Sequence, residues 1–172
     1  MKLLAYVYEK YYGKPAPYYY KYSLITIIAK PIRKFVAQVI APNCPFNSLR
    51  ILLYRMCGFK IGKNTFIGMR CYLDDRHYDL LTIGNNCTIS YGVYFACHGK
   101  TQGPHRITIK DGVYIGMAAR VILGKSEGHP DINVTINENS YVGACTLVNK
   151  DVPARAVVVG IPCRVIRVRT DI

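Results

Sequence analysis

No apolar run in this sequence is long enough to span a bilayer. The longest, from Leu24 to Ala29, falls far short of the ~20 residues that a membrane helix needs. The first residues lack an apolar core followed by a small-residue cleavage site, so no secretory signal is read there. Seven cysteines (Cys44, Cys57, Cys71, Cys87, Cys97, Cys145 and Cys163) have neither an even count nor a paired spacing. That argues against a disulfide framework and for reduced thiols in a cytoplasmic protein. Acids are scarce: 10 Asp and Glu stand against 23 Lys and Arg, for a formal net charge of +13. The imbalance is concentrated in residues 1 to 60, which hold ten Lys or Arg and the single acid Glu9. A basic first third of this kind reads as an appendage with a surface-binding or interface role. The 172 residues, 51% of them apolar, suffice for one domain with a core plus that appendage.

Beyond residue 60 neither helical periodicity nor strict alternation holds. A six-residue register is found instead. Aliphatic or aromatic starts recur at Ile61, Ile67 and Leu73, at Ile83, Ile89 and Phe95, at Ile109, Ile115 and Val121, and at Ile136, Val142 and Val148. Small or turn-forming residues follow many of them, as at Gly62, Gly68, Gly84, Gly116 and Gly143. Four positions after a start comes a second compact residue, among them Thr65, Cys71, Cys87, Val93, Ala119 and Thr146. One short strand plus one turn, three times per coil, makes a three-sided prism with the starts stacked inside it, about four coils high. Leu73 to Ile83, Phe95 to Ile109 and Val121 to Ile136 exceed one hexad, and each break falls on the third side. Loops leaving one side of a rigid scaffold are where chemistry is expected.

The strings Ile109-Lys-Asp-Gly-Val-Tyr-Ile-Gly116, Asn149-Lys-Asp-Val-Pro153 and Val157-Val-Val-Gly-Ile-Pro-Cys-Arg-Val-Ile-Arg167 carry a resemblance. Over roughly residues 46 to 169 the chain resembles the left-handed β-helix hexapeptide acyltransferases. These include the serine, maltose and galactoside acetyltransferases and the polysaccharide O-acetyltransferases. The resemblance implies an all-β solenoid, a left-handed parallel β-helix, and its hand comes from the family alone. The expected organisation is a basic, Tyr-rich helical appendage over 1–58, the β-helix over 59–153 and a C-terminal tail over 154–172 packing on the coils. The implied activity is acetyl transfer from acetyl-coenzyme A, with no metal required, in a homotrimer with its sites between subunits.

Within Phe95-Ala-Cys-His-Gly-Lys100, His98 matches the family's general base. An alcohol needs such help to attack a thioester near neutrality, and imidazole, with an ordinary pKa of ~6.5, supplies it. Asp74 and Asp75 open the first insertion and match a place where relatives contact the acceptor or the imidazole. Turn chemistry is their other reading, and Asp75 is preferred by its place in the hexad. Tyr114 stands where relatives often carry Trp and is a substrate-binding candidate or an outward wall residue. Gly116 and Ala144 match small residues along which the pantetheine arm would run. Lys150 and Arg164 match positions near the coenzyme, with Arg167 close by; Arg suits phosphate through its planar fork. His77, His105 and His129 read as loop histidines. Cys97 beside His98 should face the opposite way, which argues against a cysteine acyl-enzyme.

Eight of the fifteen tyrosines fall within the first 22 residues. Residues 18 to 41 read as an amphipathic helix or helix pair interrupted at Pro31. A further helix capped by Asn47 or Ser48 runs through Met56, with Leu49, Leu52 and Leu53 inward. Covering the first coil and packing in an oligomer is the preferred role of this segment. Peripheral contact with the inner face of a membrane through residues 1–42 is the second, and no motif supports nucleic-acid binding. The expected reaction is O-acetylation of a saccharide or glycolipid in capsule, O-antigen or exopolysaccharide synthesis. Sugar N-acetylation and antibiotic acetylation are the nearest alternatives; a zinc carbonic anhydrase or a non-catalytic solenoid is more distant.

Overall fold

The computed structural model describes residues 2–17, 23–98, 105–122 and 133–170. The chain divides into two compact units, Met1–Phe35 and Val36–Ile172.

In the larger unit, parallel strands stack rung upon rung on three faces. The first face comprises Lys60–Ile61, Leu81–Ile83, Ile107–Ile109 and Val134–Ile136. The second starts with Phe66–Ile67, Thr88–Ile89, Tyr114–Ile115 and Tyr141–Val142, and the third holds Tyr94–Ala96, Arg120–Ile122 and Leu147–Val148. The register is that of the repeat: Ile61 pairs with Ile83, Ile83 with Ile109 and Ile109 with Ile136. Every start from Ile67 onward is buried, and so is every compact residue four positions on, Thr65 to Val152. Buried hydroxyls there are satisfied, as when Thr65 Oγ1 donates to the Gly84 carbonyl at 2.8 Å.

The turns are made two residues later than the glycines after the starts imply. Asn64, Arg70, Asn86, Ala118, Asn139 and Cys145, each three residues past a start, have φ between 52° and 56°, the left-handed region. The glycine directly after a start serves close approach instead: a Cβ on Gly116 would lie 2.5 Å from the Ala144 nitrogen of the next coil.

Residues 36–59 close the lower end. Val36–Ile40 forms a π-helical turn and α3 (Ala41–Asn43) a single turn; α4 (Asn47–Met56) then lies across the first coil. Gln38 Nε2 donates to the Leu73 carbonyl at 2.8 Å, and the Pro42 carbonyl accepts Arg70 N–H at 2.8 Å. The α4 expectations need two corrections. Its N-cap is Phe46 with no side-chain cap, because the Asn47 amide instead accepts Ile67 N–H at 3.1 Å and donates to the Thr65 carbonyl at 3.2 Å. Its inward face is Arg50, Ile51 and Tyr54, with Leu53 partly buried against the core as expected, while Leu49 and Leu52 are 46% and 52% exposed. Arg50 turns in because carbonyls receive it: Nε donates to Ile67 O at 2.6 Å and Nη1 to Cys44 O. The predicted appendage therefore divides at Phe35, and 36–58 pack with the repeats.

At the other end Ala156–Val159 adds a fifth rung to the second face, and Arg164–Val168 folds back antiparallel against it. The second-face sheet thus continues into the predicted tail. The smaller unit holds α1 (Lys2–Tyr12) and α2 (Leu24–Phe35), and α2 runs through Pro31 without the predicted break.

Candidate active site

All three insertions join a third-face segment to the next first-face strand, so they leave one edge of the rungs. Tyr72 and Tyr94 pair across the third face, which sets the start of the first insertion beside the start of the second. Asp74 follows the inward Leu73, and His98 follows Cys97. The Asp74 carboxylate has no exposed surface, and its Oδ2 lies 2.6 Å from His98 Nδ1. The same oxygen accepts Cys97 N–H at 2.7 Å, and Oδ1 accepts Arg76 N–H at 2.9 Å. A buried carboxylate is tolerated because these donors replace water. Since an ionised carboxylate only accepts, the neutral imidazole carries its proton on Nδ1 and keeps an Nε2 lone pair. The His98 side chain is 21% exposed, so an approach for a reactant remains open.

Asp75 has a different partner. Tyr72 Oη donates to Asp75 Oδ1 at 2.8 Å, and the Tyr72 ring stacks on Tyr94 with centroids 4.3 Å apart and planes 9° apart. Burial and then the Asp75 hydrogen bond push the Tyr72 hydroxyl above its ordinary pKa. Of the two aspartates expected to contact the acceptor or the imidazole, it is thus Asp74, and not the Asp75 favoured by the hexad, that pairs with the ring. Asp74 lies against the N–H of the neighbouring rung, and by Asp75 the chain has turned back. Tyr72 escaped notice, although its signal was present: Tyr72 and Tyr94 stand immediately before the starts Leu73 and Phe95.

Cys97 points into the core, fully buried, while its neighbour His98 faces Asp74. Burial and the nearby Asp74 charge push the Cys97 thiol up to about 12. His105 N–H donates to the Cys97 carbonyl at 2.8 Å and His77 is half-buried; His129 lies outside the described residues. Among the described residues no three His, Cys, Asp or Glu side chains form a group able to hold a metal ion.

The remaining candidates fall in two places. Lys150, two residues past the third-face Val148, lies on the edge that His98 occupies and is exposed. Tyr114 is on the second face, stacked on Tyr141 at 4.3 Å, and Tyr141 pairs with Val157, which pairs with Arg167. Gly116 and Ala144 lie at the corner where the second face ends, and Arg164 pairs with Val159 one step past that face. One chain therefore brings His98, Asp74, Asp75 and Lys150 to one edge, and Tyr114, Gly116, Ala144, Arg164 and Arg167 to the second face and its far corner.

No family model matches the chain. Over 146 residues it is 30% identical to the Bacillus subtilis protein named "Putative acetyltransferase YvoF", covering 83% of this chain and 80% of that one. It is 36% identical over 124 residues to the serine acetyltransferase of the same bacterium, covering 67% of this chain and 53% of that one. The chain thus spans about half the length of that enzyme. A solved hexapeptide-repeat containing acetyltransferase from Vibrio cholerae superposes with a TM-score of 0.65 at 23% identity, over 87% of this chain and 95% of that one. A maltose O-acetyltransferase from Clostridium difficile superposes with a TM-score of 0.56 at 21% identity, over 84% and 88%. At those identities the two structures speak for the fold alone.

Proposed function

Because this chain belongs to the hexapeptide-repeat acetyltransferases, we propose that it transfers an acetyl group from acetyl-coenzyme A to a saccharide hydroxyl, with His98 as general base. The observation that carries the reading is the 2.6 Å pairing of His98 Nδ1 with a buried carboxylate. That pairing presents Nε2, unprotonated, to an incoming hydroxyl. As the acceptor oxygen attacks the thioester carbonyl, its proton passes to Nε2 and the new imidazolium is stabilised by Asp74. The C–S bond then breaks, and the thiolate of coenzyme A takes the proton from Nε2. Transfer is direct, since the Cys97 thiol is buried and held protonated.

The winding belongs to this reading as the family's left-handed β-helix. Asp75, next to Asp74 in the chain, and its hydrogen-bonded partner Tyr72 are assigned to the acceptor. Arg164, Lys150 and Arg167 are assigned to the phosphates of coenzyme A, and Gly116 and Ala144 to the pantetheine arm. A homotrimer with sites between subunits supplies what one chain does not: residues of the second face and of the His98 edge then meet across an interface. A saccharide carried on a lipid, in capsule, O-antigen or exopolysaccharide synthesis, fits the basic first 42 residues, and a cytoplasmic location at the inner face of the membrane belongs to the same reading. No described helix is long and apolar enough to cross that membrane.

The test is release of free coenzyme A from acetyl-coenzyme A against a panel of sugars, nucleotide sugars and glycans. One saccharide should give turnover at least about 10²-fold above His98→Ala, in line with the usual contribution of a general base. Turnover unchanged in His98→Ala removes the mechanism.

A further inference from the structure

The larger unit closes its own first rung. Ala37, Ala41, Ile51, Tyr54 and Phe59 are buried there, so residues 1–35 are not needed as the cap that the sequence called for. The smaller unit nevertheless carries apolar stripes on both helices. On α2, Ile25, Ile28, Ile32 and Phe35 are 80%, 60%, 58% and 56% exposed. At 100° per residue these four fall on one side of the helix. Lys30, Arg33 and Lys34 lie outside that stripe, and α2 contains no acid. On α1, Leu4, Val7 and Tyr11, spaced three and four apart, are also exposed. The first 35 residues hold seven Lys or Arg and one acid.

We propose that α2 lies in the plane of a bilayer containing anionic phospholipid, with Ile25, Ile28, Ile32 and Phe35 in the acyl boundary and its cations among the headgroups. This inference deepens the peripheral-membrane part of the function proposed above and does not depend on acetyl transfer. Length fixes the geometry. Twelve residues extend only ~18 Å, against ~30 Å of hydrocarbon, so the helix rests in the interface and does not cross it. Charge selects the lipid: with α2 acid-free and one acid in the unit, an anionic surface attracts it and a neutral one does not. Pro31 lacks an N–H and leaves one carbonyl of the preceding turn without its helical donor, which a helix at the wet interface tolerates.

The experiment is flotation of the full-length protein with phosphatidylcholine vesicles, with or without phosphatidylglycerol. The wild type should float with the anionic vesicles and stay behind with the neutral ones. Ile28→Glu/Ile32→Glu should cut the bound fraction at least about tenfold, since two apolar anchors are lost. Lys30→Gln/Arg33→Gln/Lys34→Gln should lower it by a similar factor and flatten its salt dependence. Both variants alter exposed positions, and an unchanged melting temperature shows that the fold is retained. Wild type left behind with anionic vesicles, equal flotation with neutral ones, or undiminished flotation of Ile28→Glu/Ile32→Glu each overturns the proposal. So does a fall in solution mass of that variant when the wild type does not float, which assigns the stripe to a second copy of the chain. Flotation without acetyl transfer leaves this inference standing and removes the proposed reaction; transfer to a soluble saccharide without flotation does the reverse.

Discussion

Asp74 Oδ2 stands 2.6 Å from His98 Nδ1 and accepts the Cys97 N–H at 2.7 Å with the same atom. Holding the imidazole and ordering the backbone beneath it are thus one function. Asp74→Asn removes the charge that fixes the tautomer, and kcat should fall by about 10²- to 10⁴-fold with little change in the KM for acetyl-coenzyme A. Steady-state release of coenzyme A reads this directly. A kcat within a few-fold of wild type would show that the carboxylate is only a structural anchor.

Asp75 predicts the opposite split. Its partner is the Tyr72 hydroxyl, not the imidazole, so Asp75→Asn should raise the acceptor KM several-fold and leave kcat largely intact. Equal damage from the Asp74 and Asp75 substitutions would mean that the two carboxylates share one role.

Arg164 is exposed at the end of the antiparallel strand, where it pairs with Val159. If its guanidinium holds coenzyme phosphate, Arg164→Ala raises the acetyl-coenzyme A KM by about tenfold or more and lowers kcat less. A pure kcat effect would contradict the assignment.

Gly116 is a stability position. A methyl group there would lie 2.5 Å from Ala144 N, so Gly116→Ala must separate two coils and should cost about 1–3 kcal/mol in a urea titration. Gly92 makes a useful contrast: its Cβ would meet open space, and the cost of Gly92→Ala, about 1–2 kcal/mol, comes from φ +70° alone. A stabilised Gly116→Ala protein would mean that the coils are looser than this packing.

Alkaline pH should melt the larger unit early. Burial pushes Cys71 up to about 11 and Cys97 up to about 12, from an ordinary 9.0. The folded state favours the neutral thiols, so their contribution is complete below pH ~9 and is lost as pH rises through 11 and 12. Melting temperature should hold below pH 9 and then decline, and Cys97→Ala should flatten part of that decline. At neutral pH a thiol-alkylating reagent should modify the exposed Cys145 and spare the buried Cys97. A melting temperature level from pH 9 to 11 contradicts the assignment.

The twelve repeat starts and their inward companions were legible from one chain because stacked rungs impose a six-residue period that neither a helix nor a simple alternating strand produces. The edge carrying the insertions followed from the same count. Two features were not readable. Counting along an insertion does not reveal which of two consecutive aspartates lies against the next rung, since that depends on N–H groups contributed from 23 or 24 positions away, at Cys97 and His98. Nor does helical periodicity predict that a charged Arg50 is drawn inward and Leu49 and Leu52 left out. The carbonyls of Cys44 and Ile67 decide that, and they are assembled only once the first coil exists.

Every insertion departs from the edge between the third and first faces, and none interrupts the stacked starts or the left-handed turn residues. Such an arrangement lets chemistry drift while folding stays put. A lineage can lengthen, shorten or recompose those excursions and change what that edge can hold, at almost no thermodynamic risk to the staircase that carries them.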